Sequence, residues 1–92
     1  MTILKNLEEL IEIVRQRKNS PVDKSYTNKL LTDKKLVVSK VKEEISELLE
    51  AVEKKTNTVH EAADVLYHLI VYLEANNIKI EDVMSELKKR QK

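Results

Sequence analysis

The feature that most constrains this 92-residue chain is the complete absence of glycine, together with the presence of a single proline. These two residue types most often end helices and form tight turns, so a chain nearly without them favours long helices. The absence of glycine also excludes the glycine-rich loops of dinucleotide-binding and P-loop proteins. The absence of cysteine excludes disulfides, thiolate zinc sites and cysteine nucleophiles. The chain is therefore expected to be all-α.

The composition limits both the size of the fold and its partners. With 41% apolar and 36% charged residues, the chain is too hydrophobic for disorder, and its length suits one domain over residues 1–92. Seventeen basic and sixteen acidic residues leave a net charge of +1, which argues against nucleic-acid binding. The longest apolar stretch, Ala62 to Leu73, is shorter than the roughly 20 residues of a membrane span, and no secretory signal precedes it. We expect a cytoplasmic protein with no membrane or nucleic-acid partner.

Apolar residues recur at helical spacing and predict a bundle of four to five helices. Ile3, Leu7, Leu10, Ile11 and Val14 predict a first helix over about residues 2–18, which the Asn19-Ser20-Pro21 segment ends. A short second helix follows over about 25–33. A third over about 36–55 carries its apolar residues every three or four positions, at Val37, Val41, Ile45, Leu48 and Val52. A fourth is predicted from a cap at Asn57 or Thr58 to about Asn76, and a fifth over about 80–90.

Two pairs of acids, each three residues apart, are the candidate chemical site. Glu61 and Asp64 begin the apolar fourth helix, and Glu44 and Glu47 lie on the third. A short connection between these helices makes them antiparallel neighbours, which can bring the two pairs opposite one another. Four carboxylates form an oxygen-rich cage of the kind that suits Mg²⁺ or Mn²⁺, and magnesium in such sites commonly binds substrate phosphates as well.

Simpler interpretations of the same residues stay open at this point. The glutamates of the third helix are equally typical of a solvated surface supported by lysines, and Glu61 is typical of a first helical turn. Asp64 is harder to explain in this way because its neighbours are apolar, although a lysine partner would satisfy it. His68, four residues further on, is more typical of a hydrogen-bonded core histidine than of a metal ligand.

Several short motifs in the sequence resemble those of a known family. The run KVKEEISE at 40–47, followed by EAAD at 61–64, resembles the E-E-x-x-E … E-x-x-D signature of the MazG-type all-α nucleotide pyrophosphohydrolases. Arg17-Lys18 followed by Ser25-Tyr26-Thr27 and Leu30 resembles the R-K … S-Y-T-x-x-L segment of the phosphoribosyl-ATP pyrophosphohydrolase family. The run EAADVLYHL from Glu61 is similar to that family's E-A-A-D-L-L-Y-H-L. The resemblance covers about residues 7–90. Two family glycines are replaced, one by Lys42 and one in the turn at Asp33-Lys34.

The resemblance implies a fold, a reaction and a set of site residues. The fold is a MazG-like bundle that forms an intertwined homodimer, and the reaction is hydrolysis of phosphoribosyl-ATP to phosphoribosyl-AMP and pyrophosphate. It implies Mg²⁺, with Mn²⁺ as a substitute, held by Glu44, Glu47, Glu61 and Asp64. The general base would be Glu47 or Glu43. Cations and hydroxyls for the substrate phosphates would come from Arg17, Lys18, Lys40, Ser25 and Thr27.

Two rival functions share parts of this pattern. A MazG-type enzyme acting on ordinary or damaged nucleoside triphosphates would have the same fold and carboxylates, and the Ser-Tyr-Thr segment is the reason to favour histidine biosynthesis. A non-catalytic helical adaptor would use the charged third helix to bind a protein partner, and its function would not depend on Asp64. The fourth helix supports dimerisation independently, because it carries apolar residues on all its sides from Ala62 to Leu73 and neighbours within one chain could cover only one side.

Overall fold

The computed structural model describes residues 4–91, and this part of the chain contains five helices and no strand. They are α1 (Lys5–Asn19), α2 (Tyr26–Thr32), α3 (Lys34–Lys54), α4 (Thr58–Ala75) and α5 (Ile80–Arg90). The predicted all-α class is confirmed, and the predicted helix boundaries agree to within a few residues. The first predicted helix also included Ile3, which lies outside the described residues. No helix between residues 4 and 91 is long and apolar enough to cross a membrane.

Helix α4 is the centre of the bundle, because each of the other four helices packs against it. Its most extensive contact is with α3, to which residues 55–57 connect it as a helical hairpin. The apolar core lies where α4 meets α1, α2 and α3. Its buried members are Ile11, Val14, Leu30, Val37, Ile70 and Val71. The hairpin therefore forms a rigid platform, and α1 and α2 cover one of its sides.

The turns form without glycine by placing other residues in the left-handed region. Lys55 and Asn77 have φ values of 57° and 58° just beyond the ends of α3 and α4, where glycine usually closes a helix. The turn before α3 needs no such residue. Asp33 is extended, with a φ of −115°, and its carboxylate accepts a hydrogen bond from the Leu36 amide at 3.0 Å. This cap explains how the chain dispenses with the family glycine at this turn.

One predicted cap does not form. Asn57 stands at the start of α4, but it adopts a left-handed conformation with φ of 50°, and its side chain makes no capping hydrogen bond. The helix begins at Thr58 as expected, and Glu61 in its first turn is the residue that complements the helix dipole.

One side of the α3–α4 hairpin stays uncovered by the chain itself. Several large apolar side chains on this side are between 37% and 66% exposed: Ile45, Leu49 and Val52 on α3, and Leu66 and Leu69 on α4. We call these five residues the hairpin apolar face. Helical spacing correctly identified the stripe on α3, but only its first residue, Val37, is fully buried within the chain.

Candidate active site

The hairpin brings the two acidic pairs together. Glu44 and Glu47 interact directly on α3, and Glu61 and Asp64 interact directly on α4. Across the helices, the charge of Asp64 acts on Glu44 and the charge of Glu47 acts on Glu61. The four carboxylates therefore form one electrostatic cluster, which we call the carboxylate cage. Its two halves come from different helices, so it exists only when the hairpin is closed.

Glu44 is the buried member of the cage. Its residue is 6% exposed, and its Oε2 atom has no hydrogen-bond partner within residues 4–91. Burial raises the pKa of Glu44, and the neighbouring carboxylates of Glu47 and Asp64 raise it further. The sequence singled out Asp64 as the acid in apolar surroundings, but the structure leaves that side chain 35% exposed. The expectation of an acid in buried surroundings therefore holds for Glu44 and not for Asp64, because burial is decided by which face of a helix its neighbours cover.

The donor set fits a small divalent cation. All four side chains offer carboxylate oxygens, the ligands that Mg²⁺ and Mn²⁺ prefer. A buried carboxylate oxygen without a partner is costly, and a cation would satisfy it while removing the repulsion among its neighbours. Glu43 lies beside this set: one carboxylate oxygen from each of Glu43, Glu44 and Glu47 lies within 4.8 Å of the others.

Lys40 is the cation at the edge of the cage. Its Nζ atom contacts the Glu43 carboxylate and lies 3.8 Å from Oε1 of Glu44. A substrate phosphate arriving at the cage would meet this ammonium group. Lys42, which replaces a family glycine, is exposed and lies instead beside Lys35 and Val38 on an outer surface of α3.

The Ser25-Tyr26-Thr27 segment is anchored beside the cage by a hydrogen-bonded network with α4. The carbonyl of Asp64 can only accept, so Nδ1 of His68 donates to it at 2.7 Å and Nε2 is left to accept from the Tyr26 hydroxyl at 2.9 Å. Oγ1 of Thr27 pairs with the Tyr67 hydroxyl at 2.5 Å. His68 is thus a buried, fully hydrogen-bonded histidine, as the sequence suggested.

The two hydroxyls predicted to meet phosphate already have structural roles. Ser25 is the N-cap of α2, and its Oγ accepts from the Asn28 amide at 3.3 Å. Its own hydroxyl proton stays available to a ligand, because in this bond the oxygen is the acceptor. The Thr27 hydroxyl is shared with Tyr67 across the α2–α4 contact. Both side chains lie on the segment that the network holds against α4.

The two predicted phosphate-binding cations at the end of α1 have contacts away from the cage. The Lys18 amine donates to the carbonyl of Glu74 at 2.7 Å and to Oδ1 of Asn77 at 2.5 Å. Glu74 is ten residues beyond Asp64, or about 15 Å along α4, so the structure does not bring Lys18 to the carboxylates. The Arg17 carbonyl accepts from Nδ2 of Asn28 at 2.7 Å, which ties the end of α1 to α2.

Two features were not anticipated from the sequence. Arg15 donates to the buried Glu74 at 3.0 Å and to both carboxylate oxygens of Glu81, and so joins α1, α4 and α5. No local signal marks this cluster, because its members are separated by many residues. His60 lies with Nε2 3.4 Å from Oδ2 of Asp64. Its position four residues before Asp64 was a usable signal, since such pairs share a helix face.

An all-helical hairpin with a glutamate pair on one helix and a Glu-x-x-Asp pair on the next defines the class of all-α nucleotide pyrophosphohydrolases. Comparison with known families gives the narrower assignment. The family model described as phosphoribosyl-ATP pyrophosphohydrolase matches residues 7–91, so the chain belongs to that family and is a hydrolase.

Individual relatives agree with this assignment. A phosphoribosyl-ATP pyrophosphatase of Bacillus cytotoxicus is 42% identical over 94% of this chain and 83% of its own length. One from Clostridium acetobutylicum is 40% identical over 91% of this chain and 79% of its own. A histidine biosynthesis bifunctional protein of Pyrococcus furiosus is 45% identical over 94% of this chain, but the match covers only 41% of that longer protein.

Proposed function

We propose that the protein catalyses the Mg²⁺-dependent hydrolysis of 1-(5-phosphoribosyl)-ATP to 1-(5-phosphoribosyl)-AMP and pyrophosphate, the second step of histidine biosynthesis. The observation that carries the proposal is the carboxylate cage, with its buried and unpartnered Glu44 oxygen, in a chain of this family. The names of the relatives support the substrate.

The roles of the residues follow from their positions. Mg²⁺ would be held by the cage residues Glu44, Glu47, Glu61 and Asp64. When bound, the ion neutralises charge on the phosphate chain and polarises its phosphoryl oxygens. Water would attack a phosphorus atom of the α–β anhydride, the new P–O bond forming as the bridging P–O bond breaks and pyrophosphate leaves. The water's proton would pass to a carboxylate, for which Glu47 and Glu43 are the candidates.

Contacts to the substrate come from the edges of the cage. Lys40 lies next to the carboxylates and can exchange its contact with Glu43 for one with a phosphate oxygen. Ser25 and Thr27 stand on the segment anchored to α4, and Arg17 lies on the neighbouring end of α1. Lys18 is left out of this set because it is engaged at the far end of α4.

We also propose that the protein is an intertwined homodimer and that the hairpin apolar face forms its interface. Five large apolar side chains are exposed on two adjacent helices. Single exposed apolar residues are normal on a protein surface, whereas a group of them marks an interaction site. Ile45 on this face directly follows Glu44, so the interface and the cage share a helix. Each active site would then lie next to the partner subunit.

The test is pyrophosphate release from phosphoribosyl-ATP and from a panel of nucleoside triphosphates, with Mg²⁺ and with chelator. Strong preference for phosphoribosyl-ATP that vanishes with chelator is expected. Asp64→Asn and Glu47→Gln should abolish turnover while the helical circular dichroism is kept, and the exposed Glu53→Gln on the same helix should behave like the unmodified protein.

The other outcomes are distinct. Activity on the common triphosphates would keep the fold and the cage but replace the substrate. The helical adaptor would be favoured by two results together. The protein would be inactive toward every substrate, and Asp64→Asn would support growth of cells that lack the protein as well as the unmodified protein does.

A further inference from the structure

His60 adds an imidazole to the outer edge of the carboxylate cage. It precedes Glu61 in the first turns of α4, and its Nε2 atom lies 3.4 Å from Oδ2 of Asp64. One ligand atom from each of His60, Glu61 and Asp64 lies within 4.8 Å of the others. These distances are short enough for a single cation to contact all three side chains after small rotamer changes. The imidazole is therefore part of the same donor set as two of the cage carboxylates.

The ring of His60 is free to serve as a ligand. Its side chain is 72% exposed, and its Nε2 atom lies 3.4 Å from Oδ2 of Asp64, beyond the usual length of a strong hydrogen bond. The only other histidine, His68, has both ring nitrogens engaged, by the Asp64 carbonyl and by the Tyr26 hydroxyl. Nitrogen ligation of a metal in this protein would thus have to come from His60.

A second observation, on the other helix, points to a cation in this cage. Oε2 of Glu44 is buried without a hydrogen-bond partner, and the Glu44 carboxylate faces the charge of Asp64 across the hairpin. Asp64 also pairs with His60, so this one carboxylate belongs both to the electrostatic cluster of Glu44 and to the donor set of the imidazole. Glu44, Asp64 and His60 would then hold one metal together, and the exposed imidazole would supply its nitrogen ligand.

We infer that His60 is a metal ligand, which converts the cage into a mixed oxygen and nitrogen site that prefers divalent transition metals to Mg²⁺. Imidazole is a good ligand for first-row transition metals, whereas Mg²⁺ takes oxygen ligands and water. Removal of the ring should therefore weaken a transition metal much more than Mg²⁺. The inference rests on one part of the proposed function, namely that the cage holds a divalent cation.

The experiment is pulsed electron paramagnetic resonance of Mn²⁺ bound to the full chain, because coupling to an imidazole nitrogen directly reports histidine ligation. The unmodified protein should show nitrogen modulation, and His60→Gln should lose it. Calorimetry should show Mn²⁺ affinity falling about tenfold in His60→Gln, with Mg²⁺ affinity changed by less than about twofold. Because His60 is highly exposed, the variant should fold, which circular dichroism checks.

The controls separate this inference from the proposed function. Glu44→Gln should lose Mn²⁺ binding altogether, since it removes the central cage ligand. Bound Mn²⁺ without nitrogen modulation in the unmodified protein, or with modulation that persists in His60→Gln, would overturn the role of His60 and leave the cage intact. No Mn²⁺ or Mg²⁺ binding by the unmodified protein would overturn both the inference and the proposed metal site.

Discussion

Replacing Glu44 by glutamine should stabilise the metal-free protein while abolishing metal binding. Glu44 is 6% exposed, one of its oxygens has no partner, and its carboxylate lies within 4.8 Å of that of Glu47. Glutamine keeps the shape, removes the charge and can donate to the Glu47 carboxylate. A residue that the proposed reaction requires is therefore one that destabilises the empty fold.

The size of the effect follows from Coulomb's law. One carboxylate oxygen of Glu44 and one of Glu47 lie no more than 4.8 Å apart, and two unit charges at that upper limit repel by about 0.9 kcal/mol at the dielectric constant of water and by about 3.5 kcal/mol at an effective value of 20. We expect Glu44→Gln to raise the free energy of unfolding by an amount between these limits when Glu44 is ionised in the unmodified protein. The exposed Glu53→Gln, nine residues further along α3, is the matched control and should change it by less than about 0.5 kcal/mol.

The dependence on pH has a definite sign. The pKa of Glu44 is raised in the folded state from its ordinary value of 4.5, first by burial and then by Glu47 and Asp64. Well below pH 4.5 the group is protonated in both states, so the unmodified protein carries no penalty from a charged Glu44. As the pH rises from 4.5 through the folded pKa, the free energy of unfolding of the unmodified protein falls. The advantage of Glu44→Gln should therefore be small in acid and grow toward pH 8.

The assay is urea unfolding followed by circular dichroism at pH 4 and pH 8, at one protein concentration and in chelator. Addition of Mg²⁺ at 100 times its dissociation constant should stabilise the unmodified protein by about 2.7 kcal/mol and leave Glu44→Gln unchanged. The reasoning is refuted if metal-free Glu44→Gln is no more stable than the unmodified protein at pH 8, or if Mg²⁺ stabilises both equally.

Two further predictions concern the surfaces around the site. Leu49→Lys, on the hairpin apolar face, should convert the proposed dimer to a folded monomer in sedimentation analysis. Ile70→Lys should instead unfold the chain, because Ile70 is in the core. A dimer that survives Leu49→Lys would contradict this interface. The hydrogen bonds from Arg15 lower the pKa of Glu81 to about 2, so this pair contributes stability above pH 4.5 that is lost as the pH falls toward 2. Unfolding measured from pH 2 to 7 should show that pH-dependent contribution disappearing in Arg15→Gln, and an unchanged profile would count against it.

The sequence by itself determined the helices and the pairing of the acids. Helical spacing and the scarcity of turn residues predicted all five helices, and the three-residue spacing placed Glu44 with Glu47 and Glu61 with Asp64 on their respective faces. These are local properties, because each depends on backbone geometry within one or two helical turns. The short link between α3 and α4 was enough to predict that the two pairs would face each other.

Only the tertiary structure decided which of these residues is buried and which partners each one has. It buried Glu44 rather than Asp64, held Lys18 at the far end of α4, and joined Arg15 to Glu81 across 66 residues of sequence. Burial depends on which neighbouring helix covers a given face, and a side-chain partner depends on the packing of distant segments. The helical period shows which residues share a face, but it does not show how completely neighbouring helices cover that face or which distant side chain lies opposite. Both are decided when the bundle closes.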